Sequence, residues 1–422
     1  MNTLKNIMIE SKRKLLTTSS YLSFPRQRNK ETLTPKLIII LGMLSAIAAL
    51  STDMYLPLFP AIASALQTTP AGVQLSLTTF MAGLSLGQLV IGPWSDSIGR
   101  RSLLIGGMAL LTLASIVCAL SSRIEILISA RFFQGAGGAA GIVLTRAIIS
   151  DLGHGNRAAQ YFNIMLAIQG IVPIIAPLLG GIATFFPWQI TFWFMAIIAL
   201  TLTLLSYWQV AESHPLEQRS HADSKHFLHQ LKQLANNRYY LGYTFIFAAQ
   251  FGALFAYISA SPFIYQLLFN FSAREFAVVY AINAGVMMLG SVFSAKWVIK
   301  WGSERLIKFG VISSLCLSLL LLLVYFFPFH QREFTLFILF IMMGTMAFIF
   351  GNAASLALAS LPHSKGTGSA VLGALQFGAA ALTAPLSGSG TSLSLLPMAA
   401  IIAGCNIACL LSLSAMNTQR RS

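Results

Sequence analysis

Residues 73–121 read VQLSLTTFMAGLSLGQLVIGPWSDSIGRRSLLIGGMALLTLASIVCALS, in which two apolar runs flank a short charged turn. The runs at 73–93 and 103–121 carry no charged side chain and have about the 20 residues that a helix needs to cross a bilayer. Because lipid offers no partner for backbone polar groups, such a run must form a helix or belong to a closed barrel. Barrel strands alternate polar and apolar residues, whereas these runs are apolar on all sides. The stretch therefore predicts two transmembrane helices joined by a charged turn.

The same pattern recurs along the whole chain. Of the 422 residues, 56% are hydrophobic and only 9% are charged, whereas a soluble domain carries roughly 25% charged residues. We therefore predict an all-α integral membrane protein of twelve transmembrane helices. The apolar runs lie at 37–59, 73–93, 103–121, 126–148, 161–184, 190–210, 239–261, 277–296, 306–327, 334–357, 367–388 and 395–416.

One long polar connection divides the twelve predicted helices into six and six. Each group begins with a helix that proline weakens near its outer end, at Pro57 and Pro60 in the first and at Pro262 in the second. We expect these helices to flex as an outer gate closes. The predicted organisation is a basic tail at 1–35, an N-terminal six-helix bundle at 36–210, a linker at 211–238, a C-terminal six-helix bundle at 239–416 and a short tail at 417–422.

The positive charges indicate the orientation of the chain. The net charge is +15, but the basic residues lie between or beyond the apolar runs and form no basic-aromatic groove, which argues against a nucleic-acid partner. Connections on the side of the N-terminus are rich in Lys and Arg, whereas the opposite connections carry only Arg123, Arg274 and Arg332. By the positive-inside rule, we predict a multi-pass membrane protein with both termini in the cytoplasm.

Histidine and cysteine give little reason to expect a metal or a cofactor. His221, His226 and His229 in the polar connection are a weak metal-site alternative, because loop histidines are usually solvated. No helical H-E-x-x-H pattern suggests an intramembrane enzyme. The four cysteines all fall inside apolar runs, where they act as small core residues: Cys118, Cys316, Cys405 and Cys409.

Asp53 is the acidic residue that lies well inside an apolar run. At 1.5 Å per residue it sits roughly 9 Å from the outer end of helix 1, and Arg131 on helix 4 lies at about the same depth. A charged carboxylate in lipid costs several kcal/mol, so Asp53 should face a cavity and find a partner or a proton. Burial favours the neutral acid and a nearby arginine favours the carboxylate, so the pair is predicted to carry the coupling proton. A permanent ion pair that only ties helices together is the alternative.

The charged turn of the opening stretch contains a spaced set of polar and flexible residues. Glycine permits a tight turn and close helix approach, aspartate can cap a helix, and the arginines can grip facing carbonyls or carboxylates. Asp151, after helix 4, is one possible acceptor. We predict a conformational latch, with a hairpin anchored by positive charge alone as the alternative. The set comprises Gly92, Asp96, Gly99, Arg100 and Arg101.

Small residues continue the pattern in the next two helices. Helix 4 carries Gln134, Gly135 and Gly137 after Arg131, and helix 5 carries Pro177, Gly180 and Gly181. Small side chains at such spacings allow helix backbones to approach closely.

These motifs together resemble the major facilitator superfamily, and within it the twelve-helix drug:proton antiporters. The set from Gly92 to Arg101 matches the loop motif of the superfamily. The Arg131 segment matches the helix 4 motif whose arginine is implicated in proton coupling. Residues Pro177, Gly180 and Gly181 match the antiporter motif of helix 5, in which Val172 and Ala176 here replace two usual glycines.

Three shorter stretches resemble the Bcr/CflA subfamily, whose members are associated with resistance to bicyclomycin, chloramphenicol-type drugs and sulfonamides. They are Ser51–Pro57, Tyr257–Phe263 and Gly366–Ala370. The likeness covers essentially residues 36–415. The second copy of the loop motif, Lys300–Arg305, departs from the pattern because it lacks the aspartate.

The resemblance implies a proton-coupled antiporter of the bacterial inner membrane that exports small drug-like or toxic compounds by alternating access of two bundles. We expect a monomer and no cofactor. An uptake symporter for a small metabolite is the main alternative, and a membrane enzyme or a non-transporting sensor are others. The expected partners are a small-molecule substrate, protons and the lipid bilayer. Polar residues inside apolar runs are predicted to line the substrate cavity: Tyr55, Tyr257, Asn283, Asn352 and Gln376.

Overall fold

The computed structural model describes residues 34–152, 156–214, 217, 219, 224–326, 330–361, 365–387 and 394–418, so nearly all of the predicted tail at 1–35 and residues 419–422 lie outside it. Twelve helices in the described chain are long and apolar enough to cross a membrane, which confirms the predicted fold class. They are α1 (Pro35–Ala65), α2 (Pro70–Ile98), α3 (Arg100–Leu120), α4 (Ile124–Leu152), α5 (Asn156–Ala183), α6 (Gln189–Gln209), α7 (Arg238–Leu268), α8 (Ala273–Trp301), α9 (Ser303–Tyr325), α10 (Gln331–Ala359), α11 (Lys365–Leu386) and α12 (Leu396–Thr418).

Local sequence explains where several of these helices begin. Thr34 and Thr69 accept hydrogen bonds from backbone N–H groups three residues ahead, at 3.3 and 3.2 Å, and each precedes a proline in the first turn. A capping box of Ser272 and Glu275 starts α8. Such caps satisfy N–H groups that a helix start leaves without a partner.

Twelve successive crossings bring Thr34 and Thr418 to one side of the bundle, here named the terminal side. A helix that the sequence did not predict, Ser224–Asn236, lies on this side within the predicted linker. Its Leu234 is buried, and the following Asn237 donates from Nδ2 to the Ser360 carbonyl at 2.9 Å. The other side of the bundle is named the opposite side.

The apolar core is continuous on the opposite side and divided on the terminal side. One cluster on the opposite side combines residues of the first six helices, such as Phe59, with residues of the last six, such as Phe263. On the terminal side, one cluster runs from Leu37 to Val210 and a separate one from Leu234 to Leu413. Among the described residues, the apolar cluster shared by the two groups of helices therefore lies toward the opposite side.

Two lateral seams also connect the two groups. Helix α2 packs on α11, and α5 packs on α8. In the first seam, Ser85 donates from Oγ to the Ala374 carbonyl at 2.7 Å. In the second, a Cβ placed on Gly181 would lie 3.0 Å from the Cβ of Ala277. These seams hold the groups side by side.

Candidate functional site

Helix α1 is broken beside Asp53. Its first α-helical segment ends at Asp53, and a 3-10 turn at Leu56–Leu58 precedes the second segment, Phe59–Ala65. Pro57 has no N–H to return to the Asp53 carbonyl. The Tyr55 N–H binds the Thr52 carbonyl at 3.3 Å, so the Ser51 carbonyl loses its usual donor from four residues ahead. The break predicted from the prolines is present, and it frees backbone acceptors inside the bundle.

Arg131 fills this break from α4. Its side chain is fully buried, and Nη1 donates to the Ser51 carbonyl at 3.1 Å and to Gln134 Oε1 at 2.5 Å. Gln134 in turn donates from Nε2 to Ser115 Oγ at 2.7 Å. The Ser51 carbonyl and Gln134 thus hold one edge of the guanidinium, and Ser115 holds Gln134 in place.

Aromatic rings enclose the rest of the guanidinium. Its central carbon lies 4.1 Å from the ring centre of Phe80, 4.9 Å from Tyr55 and 5.9 Å from Phe192. Such contacts favour a cation over the ring face. Nε and Nη2 of Arg131 have no hydrogen-bond partner in the described chain. The site therefore holds a cation with two donors still unused.

Asp53 does not pair with Arg131 in this conformation, so the predicted ion pair is absent between these two described residues. The carboxyl is 5% exposed, and its Oδ1 accepts a hydrogen bond from the Tyr280 hydroxyl at 3.2 Å. The shared depth is correct, because Arg131 reaches Ser51, two residues before Asp53. The α1 break, however, presents a backbone carbonyl to the guanidinium, and the carboxyl turns toward α8.

Asp53 and Arg131 are nevertheless the acidic and the basic side chain that lie buried in the described chain. Tyr280, which the sequence reasoning missed, joins Asp53 to the last six helices. Its ring stacks on Tyr257 with centroids 6.0 Å apart and 11° between planes. Asn283 donates from Nδ2 to the Tyr257 hydroxyl at 2.9 Å. Two residues predicted to line the cavity, Tyr257 and Asn283, therefore lie together beside Asp53.

The other three predicted cavity residues have surroundings of their own. Tyr55 is fully buried, and its hydroxyl is 3.0 Å from Ser76 Oγ, so it packs in the core in this conformation. Asn352 is buried and donates to Ser294 Oγ at 2.9 Å, which ties α10 to α8. Gln376 on α11 is half-buried. That the five residues line a substrate cavity stays a prediction.

Polar contacts close the opposite side between the two groups of helices. Gln74 on α2 donates from Nε2 to the Ser259 carbonyl, and Gln266 on α7 donates from Nε2 to the Pro57 carbonyl, both at 3.1 Å. The rings of Phe59 and Phe263 lie 5.7 Å apart. Sequence reasoning missed both glutamines, because a glutamine in an apolar run gives no sign of which distant carbonyl it reaches.

The predicted latch forms an ion-pair network on the terminal side. Gly99 turns the chain between α2 and α3 with φ of +107°, a region that favours glycine. Arg100 pairs with Asp96 at 2.6 Å and, as expected, with Asp151 at 3.3 Å. Arg101 donates from Nη2 to the Tyr207 carbonyl at 2.6 Å. These partners belong to α2, α4 and α6, and the two arginines begin α3.

Glu212, just after α6, completes the latch and was not predicted. Its carboxylate accepts from the backbone N–H groups of Arg100 and Arg101 at 2.9 and 3.3 Å, at the start of α3. Glu212 also pairs with Arg219 at 3.4 Å, and the neighbouring Ser213 donates to Asp151 at 2.8 Å. An acidic group at a helix N-terminus is stabilised by the helix dipole. The first residues of the linker are thereby tied to the latch.

One predicted latch role is wrong. Gly92 lies inside α2, and a Cβ added there would meet nothing within 4 Å, so it serves neither a turn nor a close approach in this conformation. Only Gly99 makes the turn, because the helix continues through Pro93 to Ile98.

Close backbone approaches explain the small residues of α4 and α5. A Cβ on Gly135 would overlap the Phe80 carbonyl oxygen of α2, and one on Gly137 would lie 2.6 Å from the Gly107 oxygen of α3. A Cβ on Gly180 would overlap the Met54 carbonyl oxygen, in the break of α1. Pro177 lies one turn earlier within α5. The predicted antiporter motif thus packs directly on the break that carries Asp53.

The histidines of the polar connection form no group of three potential metal ligands among the described residues. His221 lies outside the described part of the chain, as does the side chain of His226. The His229 ring nitrogen Nε2 lies 3.1 Å from Gln233 Nε2 on the linker helix.

Twelve helices of the described chain that are long and apolar enough to cross a membrane define a polytopic membrane protein. Residues 41–385 match the family model of the Major Facilitator Superfamily. The chain belongs to this superfamily.

Known relatives agree with this assignment. The chain is 34% identical over 370 residues to an uncharacterized MFS-type transporter, YdgK, of Bacillus subtilis, which covers 87% of this chain and 91% of the relative. It is 27% identical to a bicyclomycin resistance protein homolog of Haemophilus influenzae, over 89% and 95% of the two chains, which confirms the subfamily resemblance. A D-xylose-proton symporter structure matches 89% of this chain and 96% of its own with a TM-score of 0.70 at 14% identity, which shows the shared fold.

Proposed function

We propose that this protein is a proton-coupled antiporter that exports small drug-like or toxic compounds across the bacterial inner membrane. The observation that carries the proposal is that the described spans bury one acid, Asp53, and one cation, Arg131, which contacts the α1 break two residues before Asp53. Among the described residues, Asp53 has no cation within ion-pair distance, and Nε and Nη2 of Arg131 have no hydrogen-bond partner. An unpaired carboxylate is costly away from water, so Asp53 holds a proton in this conformation.

The terminal side is assigned to the cytoplasm, because the basic connections lie there. The core is joined on the opposite side and divided on the terminal side, so this conformation admits substrate from the cytoplasm or the inner leaflet. Helices α1–α6 and α7–α12 move as two bundles around the site. The latch network then stabilises the first bundle at its terminal-side ends.

Transport follows from the two partners available to Asp53. Substrate entering from the terminal side favours loss of the Asp53 proton to cytoplasmic water, and the resulting carboxylate pairs with Arg131. The bundles then part on the opposite side and expose the substrate. A proton from that side neutralises Asp53, the substrate leaves, and the opposite side closes again. One proton enters as one substrate molecule leaves.

The drug class is supported by the subfamily motifs and by the relative named for bicyclomycin resistance. Cells that express the protein are expected to gain resistance to a subset of a panel that includes bicyclomycin, and a protonophore should abolish that resistance. The same compounds then serve as probes in membrane vesicles.

The decisive transport experiment compares two acid-to-amide variants in everted vesicles with an imposed pH gradient. Asp53→Asn should lose accumulation of the probe compound, because its side chain cannot exchange a proton. Glu125→Gln, whose side chain is 65% exposed, should transport like wild type. Concentrative transport by Asp53→Asn would refute proton coupling at this site. Gradient-driven movement in the reverse direction would instead identify an uptake symporter.

A further inference from the structure

Tyr280 is the partner of Asp53 in the closed opposite side. The hydrogen bond of 3.2 Å joins α8 to α1, residues 227 positions apart. From this geometry, and resting on the proposed function, we infer that Tyr280 makes closure of the opposite side depend on the protonation of Asp53. Tyr280 is thus a positioning residue for the coupling proton, which it does not itself carry.

The Tyr280 hydroxyl is oriented by its own group of helices. The ring stacks on Tyr257 of α7 at 6.0 Å and packs against Phe276, one turn earlier on α8, at 5.9 Å. The Tyr257 hydroxyl is itself fixed by Asn283 at 2.9 Å. Because these contacts all lie within α7 and α8, Tyr280 moves with those helices when they separate from α1.

The other polar contacts that close this side do not respond to protonation. Gln74 and Gln266 each donate an amide hydrogen to a backbone carbonyl of the other group of helices, and neither group titrates. The Asp53–Tyr280 bond is therefore the contact through which a proton can act on this closure.

The surroundings of Asp53 leave few groups that could substitute for it. Helices α2, α5 and α6 carry titratable side chains only toward their terminal-side ends. The titratable or charged side chains that neighbour the site from the remaining elements are Tyr55 on α1, Cys118 on α3, Arg131 on α4, Tyr257 and Tyr265 on α7 and Tyr280 on α8.

The inference gives Asp53 two alternative partners, one in each protonation state. Tyr280 belongs to α8, whereas Arg131, with Nε and Nη2 unused, belongs to α4 and already contacts Ser51. A neutral acid can accept from the phenol, but a carboxylate is better matched by the guanidinium, which adds charge to the hydrogen bonds. When the proton is lost to water, the Asp53 carboxylate therefore exchanges its hydrogen bond with Tyr280 for a pair with Arg131. Protonation reverses the exchange and closes the opposite side.

Distance measurements between spin labels test this without any substrate. Labels are placed at Ser64→Cys on α1 and Leu267→Cys on α7, both exposed at the opposite side, after the four native cysteines are replaced. The wild-type background should be closed at low pH and open progressively as the pH rises. Tyr280→Phe should raise the open fraction at low pH about two- to tenfold, the effect of losing one buried hydrogen bond, and flatten the pH response.

Tyr240→Phe is the matched control. It also removes the hydroxyl of a buried tyrosine on α7, but that hydroxyl donates to the Gly368 carbonyl at 2.7 Å, within the last six helices, and does not reach α1. Its pH response should equal that of wild type. A wild-type response in Tyr280→Phe would overturn the inference.

Two further variants separate this inference from the proposed function. Asp53→Asn should stay closed at all pH values, and Asp53→Asn with Tyr280→Phe should regain an open fraction that does not vary with pH. If Asp53→Asn abolishes the pH response while Tyr280→Phe leaves it intact, the proton switch stands and Tyr280 is not its transmitter. If Asp53→Asn keeps the wild-type pH response, the proposed function itself fails.

Discussion

Two glycines of α5 test how closely this helix must press on the break of α1. Gly180→Ala places a methyl group into the Met54 carbonyl oxygen and 3.0 Å from both the Met54 carbonyl carbon and Pro57 Cγ. Gly170→Ala, ten residues earlier on the same helix, meets nothing within 4 Å. Comparing the two variants therefore separates the effect of the α5–α1 contact from the effect of replacing glycine by alanine in a helix.

The expected magnitude follows from two opposing effects. Alanine favours a helix over glycine by about 1 kcal/mol, so Gly170→Ala should be stabilised by that amount. Overpacking against backbone that cannot yield costs about 1–3 kcal/mol, so Gly180→Ala should come out between about zero and 2 kcal/mol less stable than wild type. The two variants should thus differ in free energy of unfolding by about 1–3 kcal/mol.

Unfolding of the purified proteins by titration with a denaturing detergent measures this difference directly, and vesicle transport of the probe compound measures its functional consequence. Gly180→Ala should also transport less, because α5 is pushed away from the break that positions Asp53. Equal stability of the two variants together with full transport by Gly180→Ala would refute the close packing of α5 on α1.

Three further substitutions test other parts of the site. Arg131→Lys keeps the charge but loses the planar guanidinium and its ring contacts, so transport should fall at least about tenfold with normal membrane insertion. Arg123→Lys changes a side chain that is 73% exposed and should transport like wild type. Glu212→Gln removes the negative charge at the start of α3 and should lower the free energy of unfolding in detergent by about 0.3–1 kcal/mol. An equal decrease in Glu217→Gln, at an exposed position, would contradict the capping role of Glu212. Gly99→Ala puts a side chain on a residue with φ of +107°, which should lower the free energy of unfolding by about 1–3 kcal/mol. Gly106→Ala faces open space and should not lower it. Equal unfolding curves for the two variants would show that the turn tolerates a side chain.

The fold was predictable because the constraint that sets it is local. A run of about 20 apolar residues must become a helix in lipid, so each span can be read without knowing its neighbours. The break of α1 was also predictable, because Pro57 removes a backbone donor at a known position. In the same way, Gly99 marks the turn of the latch, where φ is positive.

The pairing inside the site was not predictable from the same information. Residue spacing gives depth, and the shared depth of Asp53 and Arg131 is correct. It does not give the direction of a side chain at a helix break, and one residue turns a helix by about 100°. The sequence therefore predicted an ion pair where the structure has a backbone carbonyl at Arg131 and a tyrosine at Asp53.

Tyr280 and Glu212 were missed for a related reason. Tyr280 carries the same signal as Tyr257, a polar atom in an apolar run, but its partner lies 227 residues away on another helix. Glu212 looked like one more acid in a polar linker, and only the fold brings it to the start of α3. Contacts between distant segments need the packed bundle.

Infrared difference spectroscopy across a pH series tests most directly whether Asp53 holds the transported proton. Purified wild-type protein should show the C=O stretch of a neutral carboxylic acid at neutral pH, and this band should disappear as the pH is raised. It should be absent at neutral pH from Asp53→Asn and unchanged in Glu125→Gln. A wild-type spectrum without a neutral acid at neutral pH, or with a band that survives in Asp53→Asn, would contradict proton binding at Asp53.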